Sequence, residues 1–313
     1  DDIKDMIASH GGSGVNAFTI SGRLTLTNGT PVTTSGVSGA TAIYWNPYLG
    51  NVLPLWTGSV WSMISQDAMT LTLNNPNHAA DTLYDIFYFN DSGTKRIGSG
   101  PACSNSGAGS SARGTGAGTT EHEYLNGVLV NKNSMTVRNG ANTYSVDANE
   151  GIYLGTFRTT SVSGQTRDTV TSRLLFNMYN RHLRWLRTQY ESSHTYATGS
   201  YRAWNGNTTV GQARVELVFG LTSPMDLMFS TAWESYDTGD IGPRVSVGID
   251  TIGASIGSLY IDGLTASGAD LYGYSIPYYA TMALGYHYLN AAEYGYSPSG
   301  NSLYVGMNAH YEG

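Results

Sequence analysis

Phe18-Thr19-Ile20-Ser21-Gly22-Arg23-Leu24-Thr25-Leu26-Thr27-Asn28-Gly29 reads as a β-strand and its closing turn. Phe18, Ile20, Leu24 and Leu26 alternate with Thr19, Ser21, Thr25 and Thr27, the period of a half-buried strand, and Asn28-Gly29 is a turn dipeptide. The same grammar recurs at Ala42-Ile43-Tyr44-Trp45, Val52-Leu53-Pro54-Leu55-Trp56, Trp61-Ser62-Met63-Ile64, Met69-Thr70-Leu71-Thr72-Leu73 and Tyr84-Asp85-Ile86-Phe87-Tyr88-Phe89. Turn residues part these runs at Pro47, Gly50, Gly58, Asn74-Asn75-Pro76-Asn77 and Asp91-Ser92-Gly93. Short strands at intervals of about ten residues predict an antiparallel sandwich or barrel.

Outward from this block the chain divides. Residues 1–16 hold one apolar cluster, Ile3, Met6 and Ile7, then Gly11-Gly12-Ser13-Gly14, and read as an N-terminal arm. Residues 98–120 are rich in Gly, Ser, Ala and Thr, with Cys103 and Arg113 as the distinctive side chains, and read as a long surface loop. Strand patterns resume at Val128-Leu129-Val130, Met135-Thr136-Val137, Tyr144-Ser145-Val146 and Ile152-Tyr153-Leu154-Gly155-Thr156-Phe157. Residues 172–190 fit a helix or a strand equally, and concentrate Arg173, Arg181, Arg184 and Arg187, read as surface arginines of an extended connector that pair with the acids of neighbouring chains or domains, against the alternative of an electrostatic footprint for an anionic partner. The second half repeats the β pattern with more glycine. The expectation is an all-β chain: an arm over residues 1–16 and two consecutive antiparallel β-sandwich modules, jelly-roll-like, over 17–165 and 166–313.

Composition narrows the function classes. Of 313 residues only 12% are charged, about half the usual 25% for a soluble domain, while 12% are aromatic, which excludes a disordered chain. A net charge of -7 and a pI near 5.4 argue against nucleic acid as a partner. A single cysteine rules out an intrachain disulfide and a cysteine-built zinc site. No apolar run of about 18 residues occurs, and Asp1-Asp2-Ile3-Lys4-Asp5 is acidic where a signal peptide is basic, so the chain reads as soluble and without a secretion signal.

Catalytic motifs are scarce: GxxxxGK[ST], GxSxG and HExxH do not occur. In Glu121-His122-Glu123 a strand would place the acids on one face and the imidazole on the other, so no metal site and no cofactor is expected. Glu234, Asp237 and Asp240 are the acids from which a glycan-cleaving pair or a Ca²⁺ site would be drawn, although their spacing matches no calcium loop. Tyrosines cluster toward the C-terminus. Tyr272, Tyr274, Tyr286, Tyr288, Tyr294 and Tyr296 form a candidate receptor or intersubunit surface, weighed against filling of a β core, because Tyr offers broad contact area at low entropic cost.

The run from Ile20 to Thr34, then Ala40-Thr41-Ala42-Ile43-Tyr44-Trp45-Asn46-Pro47 and Leu55-Trp56-Thr57-Gly58-Ser59-Val60-Trp61, resembles an opening module of tailed-bacteriophage virion proteins. Tyr84-Asp85-Ile86-Phe87-Tyr88 and Leu154-Gly155-Thr156-Phe157-Arg158-Thr159-Thr160 resemble its later strands. Phe176-Asn177-Met178-Tyr179-Asn180-Arg181, Tyr201-Arg202-Ala203-Trp204-Asn205, Val215-Glu216-Leu217-Val218-Phe219-Gly220 and Val247-Gly248-Ile249-Asp250 resemble a second module of the same proteins. The resemblance implies a virion structural protein without catalytic residues, a tail fibre or a head fibre of capsid-decoration type. It further implies a homo-oligomer, favouring a trimer, that docks on other virion proteins through Ile3, Met6 and Ile7 and meets a host-surface glycan. The competing readings are a tailspike-like glycan depolymerase and a carbohydrate-binding adhesin.

Overall fold

The structure, a computed structural model, describes residues 19–196, 198–221, 228–237, 244–252, 268–276, 281–294 and 301–313. Among these the regular structure is all strand, apart from one 3-10 turn at Trp204–Gly206. Pairing is antiparallel throughout the named strands except where Ser172–Arg173 runs parallel to Arg214–Phe219. The all-β class read from the alternating runs is therefore the observed one.

The opening stretch is an outer layer. Gly22–Thr25 pairs with Ala42–Pro47, which pairs with Met69–Thr72, and the hairpin Val52–Trp56 with Trp61–Ser65 lies alongside. The free edge of Gly22–Thr25 is satisfied by side chains rather than by another strand. Asn177 accepts from the Leu24 amide at 2.6 Å and donates to the Leu24 carbonyl at 3.1 Å, while Asn180 donates to the carbonyls of Ile20 and Gly22. An edge N–H left unpaired inside a protein costs about 1–3 kcal/mol, so two asparagines do the work of a neighbouring strand here.

The centre is an eight-stranded sheet in the order Asn142–Val146, Met135–Asn139, Thr94–Ala102, Leu83–Asp91, Ile152–Arg158, Val128–Asn131 and His122–Leu125, with Leu175–Asn177 also paired to Ile152–Arg158. Its middle strand is buried on both faces. Tyr84, Ile86 and Tyr88 enter one core with Leu24, Trp45, Leu53 and Leu71, whereas Leu83, Phe87 and Phe89 enter a second with Leu217, Phe219, Leu289 and Tyr311. Two-sided burial is why this strand reads as a nearly unbroken apolar run.

A second sheet runs from Tyr201–Ala203 through Gly285–Tyr294, Arg214–Phe219, Ser172–Arg173 and Thr166–Thr169 to Val37–Ala40, with Arg244–Ile249 also on Gly285–Tyr294. A four-stranded sheet joins Leu183–Thr195, Asn301–Glu312, Met228–Asp237 and Gly268–Ile276. Strand pairing crosses the 165/166 junction twice, Thr166–Thr169 on Val37–Ala40 and Leu175–Asn177 on Ile152–Arg158, and the asparagine side chains that hold the first strand cross it again. Residues 172–190, ambiguous in sequence, lie in strands and their connections.

The 98–120 stretch is in part the surface loop expected of it: residues 103–119 form a largely exposed loop. Residues 98–102 continue the strand Thr94–Ala102, and the remainder is tied down by a short internal pairing of Asn105 with Ala112. Ser106 accepts from the Leu83 amide at 2.9 Å, and Ser111 accepts from the Tyr286 amide at 3.1 Å. Low apolar content does not prevent order where polar side chains satisfy buried backbone groups and one arginine reaches a buried acid.

Candidate functional site

Asp85 is the one acid in the apolar run of the middle strand, and it is fully buried. Opposite it, the strand Ile152–Arg158 shifts register between Tyr153 and Gly155. A bulge of this kind reverses the alternation of faces, so Tyr153 and Thr156, three residues apart, meet on one side with 2.7 Å between their hydroxyls. Thr156 donates to Asp85 at 2.5 Å.

Arg113 enters this space from the glycine-serine segment. Its Nε donates to Asp85 Oδ2 at 2.5 Å, and its Nη2 donates to Asp85 Oδ1 at 3.1 Å and to the Gly220 carbonyl at 2.8 Å. The Tyr153 hydroxyl lies 3.0 Å from the same carbonyl, and the Arg113 guanidinium stands 5.1 Å from the centre of the Tyr153 ring. His122 Nε2 is 3.2 Å from Asp85 Oδ2, and the His122 and Tyr153 rings are 4.4 Å apart. Burial pushes the Asp85 carboxyl up, but Arg113 and then His122 override it and hold the group well below the usual carboxylate range. The same burial lowers His122 against the pull of Asp85, which keeps its imidazole neutral near pH 7.

Cys103, His122 and Asp85 are the residue types of a thiol triad, yet the site is not built as one. Burial pushes the Cys103 thiol up to about 12, so it stays protonated, and the nucleophile of such chemistry is the thiolate. Both Asp85 oxygens are committed to Arg113. The arrangement is a closed ion pair that ties the 103–121 segment to the central sheet. Glu121, by contrast, accepts from Lys132 at 2.6 Å and from the Gly116 amide at 2.8 Å, away from His122. Among the described residues no group of three or more His, Cys, Asp or Glu is placed to hold a metal ion.

A second buried acid, Glu216, sits on Arg214–Phe219. It accepts from Ser172 at 2.5 Å, from Arg167 Nη2 at 2.5 Å and from the Tyr286 hydroxyl at 2.7 Å. Tyr286 is 9% exposed and lies beneath the Arg158 guanidinium, 3.9 Å from its ring centre. It is thus turned inward to satisfy a glutamate rather than outward to a receptor. Tyr288 is half-buried under Arg214, and Tyr294 stands 5.1 Å from the Tyr201 ring. Tyr272 and Tyr274 fall in the strand Gly268–Ile276, and Glu234 and Asp237 in Met228–Asp237. Tyr296, Asp240, Ile3, Met6 and Ile7 lie outside the described residues. Of the four arginines noted in sequence, Arg173 and Arg184 both pair with Asp168 of the same chain, and Arg181 covers the Phe176 ring at 5.1 Å. Asp85 and Arg113, 28 residues apart, form no cluster along the chain. The available signal was an acid stranded in an apolar run and a lone arginine in a segment otherwise free of charge.

His78 carries a pH dependence. It is fully buried in the turn after Leu73; its Nδ1 accepts from the Asn74 amide at 3.1 Å, and its Nε2 lies 2.9 Å from the Ser99 hydroxyl. Burial lowers its pKa to about 4, so the folded protein keeps it neutral where the unfolded chain, titrating near 6.5, binds a proton. Stability should therefore fall as pH drops from about 6.5 to 4.5, by about 2 kcal/mol from this group. Urea unfolding at pH 7.5 and 4.5 checks this, and His78→Gln should remove that part of the slope.

No family model matches the chain, and no curated protein matches it. Solved structures show a distant likeness only. BuGH86 in complex with neoagarooctaose is 9% identical over 88% of this chain, with a TM-score of 0.24. The chain spans about a third of that protein, 33% of its length. A structure of the infectious bursal disease virus Gx strain is 10% identical over 93% of this chain and 71% of its own, with a TM-score of 0.25. A Bacillus thuringiensis Cry1Da tryptic core variant is 8% identical over 93% of this chain and 52% of its own, at 0.18. At these distances nothing about the chain's chemistry follows from its neighbours.

Proposed function

We propose that the chain is a non-enzymatic structural component of a tailed-phage virion, an oligomeric tail fibre or head fibre of decoration type, docking by its N-terminal segment and projecting β-sheet layers for host attachment. One observation carries this reading. Asp85, Thr156 and Gly220 come from three separate stretches that resemble phage virion modules, and they meet in one closed network with Arg113. What those stretches hold in common is then a frame that locks sheets together, the requirement of a protein whose work is to keep its shape on a particle. Tyr272, Tyr274, Tyr288, Tyr294 and Tyr296 are the tyrosines we assign to intersubunit or receptor contact in a homo-oligomer, a trimer by preference.

Mass spectrometry and gold labelling of purified particles test the assignment: the full chain should be found in the virion at one location. Its absence from particles sinks the reading. Removal of residues 1–14 should abolish incorporation while the purified protein keeps the same oligomeric size by light scattering. Normal incorporation of the shortened chain removes the docking role of Ile3, Met6 and Ile7.

A further inference from the structure

Arg23 is a buried cation without a counterion. It is 2% exposed, and its Nε and Nη1 have no hydrogen-bond partner. On the neighbouring strand it faces Asn46, whose amide is already used: Nδ2 donates to Thr25 Oγ1 and the Thr27 carbonyl, and Oδ1 accepts from the Gly29 amide. The acid within electrostatic reach is Asp168, but one of its oxygens accepts from Arg173 at 2.8 Å and the other is held by Arg184. Tyr48 is close as well, its hydroxyl 2.9 Å from His182 Nε2.

The charge balance is therefore uneven. Three guanidinium groups, Arg23, Arg173 and Arg184, share one carboxylate, which leaves an excess of two positive charges in a largely buried region. A guanidinium cannot shed its proton at neutral pH, and an unpaired charge inside a protein is among the costliest groups to bury. The local potential registers on its neighbours. Burial lowers the Arg23 pKa to about 10 with Arg184 adding to the effect, and the His182 imidazole is lowered by burial and then by Arg23 and Arg184.

We propose that Arg23 marks a structural oxyanion site at the junction of the first strand with Leu183–Thr195, taking a phosphate- or sulfate-type dianion between Arg23 and Arg184, beside Tyr48 and His182. A dianion matches the excess of two charges, whereas acetate or chloride balances half of it. Tetrahedral oxygens also suit guanidinium donors that arrive from different strands.

The test is thermal unfolding of the full chain, purified in chloride, with low millimolar inorganic phosphate, sulfate, acetate or chloride added at constant ionic strength. Phosphate and sulfate should raise the Tm by roughly 5 °C when well above the dissociation constant, and acetate by much less. Arg23→Met, close in length but uncharged, should melt at or above the wild type in chloride, below it in phosphate, and show no phosphate response. Arg23→Lys keeps the charge and should retain part of that response. Equal wild-type melting in all four salts overturns the proposal, as does an equal phosphate response in wild type and Arg23→Met. Isothermal titration with inorganic phosphate should give one site per chain in the wild type and none in Arg23→Met.

Discussion

Replacing Arg113 with methionine is expected to lower the unfolding free energy by about 3–5 kcal/mol, the cost of leaving a buried charge without its partner. Asp85 is fully enclosed, and both of its oxygens lean on Arg113, so the variant must protonate the acid, admit water or open the segment. The Gly220 carbonyl loses a donor in the same step, although Tyr153 remains within 3.0 Å. Urea denaturation reads the loss, and amide exchange of residues 103–121 should rise with it, because Arg113 anchors that segment. The double variant Asp85→Asn, Arg113→Met should recover most of the stability, since it removes the charge with its partner. A single variant within 1 kcal/mol of wild type, on the order of an exposed pair, would show that the ion pair does not hold the segment.

Gly155→Ala is the second severe change, expected to cost about 3 kcal/mol by overpacking. A Cβ at that position would stand 2.2 Å from the Phe176 carbonyl oxygen and 2.8 Å from Leu24 Cδ1. The leucine tip can move; the carbonyl belongs to the strand Leu175–Asn177, paired with Gly155 through Asn177. Relief therefore requires separating two strands, and Asn177 is also the residue that grips Leu24. Thermal melting should show the loss, with early exchange of the Leu24 amide as its local sign. Wild-type melting together with an intact Leu24 amide would refute the close approach.

Much of the fold is legible from alternation. The strands Gly22–Thr25 and Met69–Thr72 fall within runs of alternating side chains, because alternation is a local property of the backbone. What a local pattern cannot carry is which face meets which layer. Tyr286 and Tyr288 share a strand face in sequence, but only the position of Glu216, 70 residues away, decides that Tyr286 turns inward. Residues 172–190 fit two periods, and the choice between them rests on tertiary partners: Asp168 for Arg173 and Arg184, and the first strand for Asn177 and Asn180. The site was still less legible. Asp85 and Arg113 are 28 residues apart, and the bulge that brings Tyr153 and Thr156 to them leaves no distinct mark in Leu154-Gly155.

The asparagine clamp on the first strand bears on how the chain is made. Leu24 bonds to a side chain 153 residues later, and Asn180 reaches back 160 residues to the Ile20 carbonyl. A nascent chain leaving the ribosome cannot close its first layer until residue 180 has been synthesised, so the strand waits with one edge open until then. Chains that terminate early would lack the latch and keep that edge exposed to proteases. The latch thus discriminates against chains broken off before residue 180, a check written into two amide side chains.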